Sequence, residues 1–257
     1  YEIGSGLVGS EMCIRDSRYP NLTAVDDIQI LEIALQNNLR IPLLLISFEN
    51  EYQKTTLEML EKLKQRAEES YEISKQAYEA LALKENHAGI LAAIELPQYT
   101  LKDFKDKEFL FVLDSLEIPG NIGTIYRTLD SVQADGVLLI DSVAKLHNPK
   151  LTLASRGCSL IIPTVSAGYE EGQAFLNENG YTIYLGEPEL GKDYQSYDYK
   201  NKIAVVVGNE RFGIHPQWYE NQHQKVYIPM EGSQNSLNVG VAASILAYEA
   251  YMKRKKK

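Results

Sequence analysis

Val205-Val206-Val207-Gly208-Asn209-Glu210 is the stretch whose reading decides the fold. The β-branched run reads as a buried strand, and the glycine after it as a turn at the strand's carboxyl end. Further on, Ile228-Pro229-Met230-Glu231-Gly232 repeats this layout. Asn235-Ser236-Leu237-Asn238-Val239 then leads into an apolar helix. Upstream, the apolar run Phe109–Leu113 and the turn Pro119-Gly120 precede Asn121-Ile122-Gly123-Thr124-Ile125-Tyr126-Arg127. In open α/β sheets ligands bind at the carboxyl ends of the strands. The three pieces therefore read as one ligand site.

The rest of the C-terminal part alternates in the same way. Strands are expected at 109–113, 137–140, 181–185, 203–207 and 226–228, with a further strand end after Ile161-Ile162. Helices are expected at 121–133, 149–156, 169–179 and 237–252, with a short one near 216–219. Such alternation implies a mostly parallel sheet covered on both faces. Residues 97–108, PQYTLKDFKDKE, are polar and Pro-led and read as a linker. Before them, residues 20–96 read as a small α/β domain. It has a helical stripe from Ile28 to Leu35, a strand at 41–47, helices at 52–66 and 74–83, and a strand at 90–94. Residues 1–19 carry neither a hydrophobic period nor the basic and apolar regions of a signal peptide. They are expected to be a replaced or disordered terminus.

Composition narrows the class. With 44% hydrophobic residues the 257-residue chain is globular, and it contains no apolar run of membrane-spanning length. Two distant cysteines and four scattered histidines form no disulfide framework and no metal-ligand spacing. A cytoplasmic location and no metal are expected. The formal charge of −9 argues against nucleic acid only in total, because phosphate contacts need local cations. Lys145, Lys150, Arg156 and the tail Lys253-Arg254-Lys255-Lys256-Lys257 supply them. The tail reads equally as a helix end whose cations suit the helix dipole.

Spacing alone leaves the site residues open. At about 100° per residue, Arg127 lies roughly 140° from the buried stripe through Ile122, as any exposed helix arginine would. Asn121 can be an N-cap, and Ser236 is a good cap candidate for the last helix. Gly208 and Gly213 serve a plain turn as well as a close approach to a flat ligand. No P-loop lysine and no G-x-G-x-x-G fingerprint is present, which disfavours a dehydrogenase or a phosphate-tail nucleotide site.

Taken together, Asn121-x-Gly123-x-x-x-Arg127, Gly208-Asn209-Glu210-x-x-Gly213 and Ile228-Pro229-Met230-x-Gly232-x-x-x-Ser236-Leu237-Asn238-Val239 resemble the three motifs of the SPOUT methyltransferases. The match is closest to the TrmH/SpoU branch of RNA ribose 2′-O-methyltransferases. Ala154-Ser155-Arg156-Gly157 resembles that branch's Ser-x-Gly stretch. Residues 20–96 resemble the L30-like RNA-binding domain that often precedes it. The resemblance implies an α/β fold with a C-terminal deep trefoil knot in 109–257, S-adenosylmethionine as cofactor and a homodimer. Its substrate would be RNA, ribosomal rather than transfer RNA. Carried over by position, the catalytic group would be Arg127, Asn121, Ser236, Asn238 and Glu210. The cofactor would lie against Gly208, Asn209, Glu210, Ile228, Met230, Gly232, Ser236 and Leu237. The alternative is a non-catalytic RNA-binding or ribosome-assembly factor that keeps the knot. Loss of Arg127 or Asn238 would mark it, and both are present.

Overall fold

The computed structural model describes residues 21–50, 52–84 and 87–255; the expectation for residues 1–19 lies outside them. The chain divides into two compact units. The first takes the chain up to Pro97 together with Leu146–Ile161, and the second takes Gln98–Lys145 and Ile162–Lys257. The sequence predicts 109–257 as one piece, whereas Leu146–Ile161 falls in the first unit. A short helix announces itself in sequence, but the core it joins does not.

The first unit holds β1 (Leu22–Val25), α1 (Ile28–Gln36), β2 (Ile41–Ser47), α2 (Lys54–Arg66), β3 (Ala67–Ile73), α3 (Lys75–Leu81) and β4 (Ile90–Glu95). From the later segment come α5 (Pro149–Ala154) and α6 (Cys158–Ile161), numbered by their place in the chain. The sheet runs β1-β4-β2-β3, with β3 parallel to β2 and the other pairs antiparallel. Asp27 caps α1 by accepting from the Gln29 and Ile30 amides, as a helix start requires. Leu160 of α6 shares a core with Ile30, Leu31 and Leu63. Gly157, at φ +85°, closes the turn between α5 and α6, and a Cβ there would stand 3.1 Å from Ile33. β3 was not foreseen. Its sequence, AEESYEI, has no apolar alternation because it is an exposed edge strand, where charged side chains discourage pairing with other chains.

The second unit is a seven-stranded sheet, parallel throughout, in the order β7-β6-β5-β10-β8-β11-β9. Its strands are β5 (Phe109–Asp114), β6 (Gly136–Ile140), β7 (Thr164–Ala167), β8 (Thr182–Glu187), β9 (Lys192–Asp193), β10 (Ile203–Val207) and β11 (Gln224–Tyr227). Its helices are α4 (Pro119–Ser131), α7 (Tyr169–Glu178) and α8 (Val239–Lys255). β5, β6 and β10 are buried along their whole lengths, which is why they read as continuous apolar runs. The expected linker is part of this unit. Phe104, in the turn Leu101–Phe104, is fully buried, and the Tyr181 hydroxyl donates to its carbonyl.

One core of this unit lies under the turn Pro216–Glu220. Trp218 is fully buried there and meets Tyr169 edge-on at 5.1 Å between ring centres. Trp218→Ala should lower unfolding stability in urea by about 3–5 kcal/mol. A loss below about 1 kcal/mol would mean that this corner of the core carries little of the fold's stability.

Candidate active site

The site is built at the carboxyl end of β10. Asn209 and Gly213 exchange two backbone hydrogen bonds of 2.9 Å, closing a three-residue tip of Glu210, Arg211 and Phe212. Gly213 holds φ +72°, which glycine adopts without strain. Gly208 has no room for a side chain, since a Cβ would stand 2.3 Å from the Gly213 carbonyl carbon and the Ile214 nitrogen. Asn209 is buried, and both polar atoms of its amide are bonded. Its Nδ2 donates to the Ser115 carbonyl at 2.8 Å, and its Oδ1 accepts from the Arg211 and Phe212 amides at 2.9 and 3.3 Å. The loops after β5 and β10 are joined again where Asp114 Oδ2 accepts from the His215 amide at 2.7 Å. Burial pushes the Asp114 carboxyl above its ordinary range, against the pull of the His215 amide and the Ser115 hydroxyl, which both donate to it.

The second piece arrives on α4. Asn121 is the third residue of that helix, not its cap. Its Nδ2 donates to Glu210 Oε1 at 2.6 Å, and its Oδ1 accepts from Asn238 Nδ2 at 3.0 Å. Asn238 is the third piece. Its Oδ1 accepts from the Gly240 and Val241 amides at 2.9 and 3.4 Å, so it caps α8. Sequence chemistry had put Ser236 in that role; Ser236 instead lies exposed in the preceding loop. One asparagine side chain thus ties together the segments the sequence reading grouped. Thr124 packs on Gly240, and Thr128 shares a 2.7 Å hydrogen bond with Ser244, so α4 runs along α8 beyond the tie.

Beside this tie lies a cleft of about 670 Å³. Gly208, Asn209, Glu210, Ile228, Met230, Ser236, Leu237 and Asn238 all line it. Gly232 does not; it is exposed with open space around it. Arg127 and Asn121 are not in the lining either. Arg127 is exposed on α4, and among the described residues its guanidinium makes no hydrogen bond or ion pair. Sequence reasoning missed the wall formed by Gly186 and Glu187 at the end of β8, and by Ala242 and Leu246 of α8. The signal for Gly186 was present, because Leu185-Gly186 repeats the strand-then-glycine pattern of Val207-Gly208.

The cleft suits S-adenosylmethionine. Its volume is that of a small-molecule site. Ile228, Met230, Leu237 and Leu246 give apolar surface for a flat base. The turn at Gly208 and the Gly186 strand end bring main chain to the wall, where a Cβ on Gly186 would come within 3.2 Å of the Val206 carbonyl.

Residues 108–248 match the SpoU rRNA Methylase family. The chain belongs to that family. It is an S-adenosylmethionine-dependent RNA methyltransferase, with the knotted α/β fold of the SPOUT enzymes. It is 31% identical over 178 residues to the 23S rRNA (guanosine(2553)-2′-O)-methyltransferase RlmP of Bacillus subtilis, a match covering 69% of this chain and 71% of that protein. The SpoU methyltransferase AviRb of Streptomyces viridochromogenes, solved with AdoMet, superposes with a TM-score of 0.86 at 23% identity, covering 97% of this chain and 98% of that one. An RNA 2′-O ribose methyltransferase superposes at 0.81 with 25% identity, over 97% and 96% of the two chains.

Glu187, half-buried in the cleft, accepts a hydrogen bond from the Tyr219 hydroxyl. Burial raises its carboxyl pKa more than Tyr219 and Lys225 lower it. A raised folded-state pKa contributes stability below the unfolded value, and that contribution is lost as pH rises through the folded one. Glu187→Gln should therefore gain stability relative to wild type as pH rises from about 4 to about 7. Thermal unfolding across that range checks it; a difference that stays constant with pH would contradict it.

Proposed function

We propose that the chain transfers the methyl group of S-adenosylmethionine to a ribose 2′-hydroxyl of ribosomal RNA. The observation that carries this reading is the Asn121–Glu210–Asn238 tie beside a cofactor-sized cleft. The name of the Bacillus subtilis relative supports ribosomal RNA as the substrate class. When bound, S-adenosylmethionine supplies a methyl already activated by positively charged sulfur. The residues have to hold the 2′-hydroxyl in line with it, and alignment of this kind supplies several kcal/mol of rate enhancement.

In this reading Gly208, Asn209, Ile228, Met230, Ser236 and Leu237 hold the cofactor, and Gly232 shapes the loop without touching it. Glu210, Asn121 and Asn238 fix the mouth of the cleft and orient the ribose. Arg127 clamps a phosphate and stabilises the 2′-oxygen as its proton passes to solvent water. Arginine, with a pKa above about 12, is a poor base and a strong bidentate donor.

Arg127 does not line its own chain's cleft, so the reading includes a homodimer in which it serves the partner's. Val241, Tyr248 and Met252, each nearly half exposed, support this. They recur at helical spacing on one face of α8, an apolar stripe suited to self-association. The substrate domain is residues 20–96 with 146–161, the catalytic domain is the remainder from Gln98, and the enzyme works in the cytoplasm.

The protein should transfer labelled methyl to unmodified ribosomal RNA as an alkali-resistant 2′-O-methyl nucleotide. Arg127→Lys should lower kcat/KM by about a hundredfold while S-adenosylmethionine affinity holds. Near wild-type turnover would defeat the bidentate clamp.

A further inference from the structure

The tip that carries Glu210 into the tie also carries a side chain with no partner in the unit's core. Phe212 is 80% exposed, yet it does not sit on a loose loop. Its amide is held by Asn209 Oδ1, and Asn209 and Gly213 close the turn on both sides of it. Asn209 is itself anchored to the Ser115 carbonyl. The Gly208 backbone is packed directly against Gly213 and Ile214, which backs the turn from inside. Arg211, also exposed, places its guanidinium carbon 5.8 Å from the Phe212 ring centre. Both residues line the cleft at its rim, and the preceding residue is the one bonded to Asn121.

We infer that Phe212 is a base-stacking platform for RNA at the mouth of the cleft, with Arg211 beside it for the adjoining phosphate. The inference rests on the reading of the cleft as an RNA methylation site. Three considerations favour a nucleobase over other occupants. A rigidly displayed aromatic ring next to a cation is the combination that binds single-stranded nucleic acid, the ring taking a base face and the cation the backbone. A chain of net charge −9 needs its cations placed where the polyanion enters. A second copy of the chain already has a separate apolar stripe on α8, whereas Phe212 stands alone next to a charge.

The geometry also assigns the ring a division of labour. Glu210 and Phe212 project from one closed turn, so a base stacked on Phe212 is held at a fixed distance from the Asn121–Glu210–Asn238 tie. Stacking at this position selects an unpaired nucleotide next to the target, because a base within a duplex has no free face to offer.

Phe212→Ala and Phe212→Trp are to be compared with wild type on an unmodified large-subunit ribosomal RNA transcript and on short single-stranded RNA containing 2-aminopurine. Phe212→Ala should raise KM for the transcript about tenfold. Phe212→Trp should restore KM. Quenching of 2-aminopurine on binding should be lost in the alanine variant and kept in the tryptophan variant. Unchanged KM and quenching in Phe212→Ala, with wild type active, overturn the stacking role alone. A dimer-to-monomer shift in Phe212→Ala with quenching intact also overturns it, placing the ring in a protein contact. Wild type that transfers no methyl to RNA overturns both this inference and the function it rests on.

Discussion

One amide group links the three pieces of the site. Asn121 donates to Glu210 and accepts from Asn238, and its two polar atoms face two different segments. No other small side chain offers a donor and an acceptor in this fork without carrying charge. Asn121→Asp would set a second carboxylate against Glu210, and Asn121→Leu would leave both partners without their hydrogen bonds. Asn238 is constrained in turn, because the oxygen that caps α8 and the nitrogen that reaches Asn121 belong to the same amide. The start of the last helix, the turn after β10 and the first turn of α4 are therefore linked by a single chain of hydrogen bonds.

The turn after β10 makes that chain possible. Its backbone is closed by the Asn209–Gly213 pair and pinned by Asn209 to the loop after β5. A hydrogen bond adds little net stability when its donor and acceptor would otherwise bond to water, but buried groups left unpaired are costly. Asn209 is buried with both its amide atoms in use. Any rearrangement of the tip would strand it. Rigidity here places the polar groups of the cleft before any ligand arrives, which is the condition for alignment to aid a reaction.

Much of this was legible in sequence, and the reasons are physical. Val205–Val207 and Phe109–Leu113 are buried on both faces of a parallel sheet, so their composition betrays them. Glycine after a strand marks a sharp turn, which located Gly208 and, had the pattern been followed once more, would have located Gly186. Beyond that, local pattern runs out. β3 is polar because it is an edge, and it reads as loop. Leu146–Ile161 shows its helices but not that it packs in the first unit, since burial against Ile30 and Leu63 is a long-range fact. The cap of α8 fell to Asn238 rather than Ser236 because capping depends on where the helix begins, and Asn238 stands directly before its first residue, Val239. The basic tail is another such case. Lys253 donates to the Gln195 carbonyl, and Arg254 pairs with Glu108 at 2.9 Å. These cations serve the fold first, which leaves less of the tail for phosphate than its composition implied.

Asn121 joins α4, the turn after β10 and the cap of α8 into one coupled unit. A double-mutant cycle tests it most directly: kcat/KM for methyl transfer to ribosomal RNA in Asn121→Ala, Glu210→Ala and the double variant. Coupled residues should give an interaction free energy of about 0.5–3 kcal/mol, the second substitution costing little once the first is made. Fully additive losses would show that the two side chains act independently and would contradict the account.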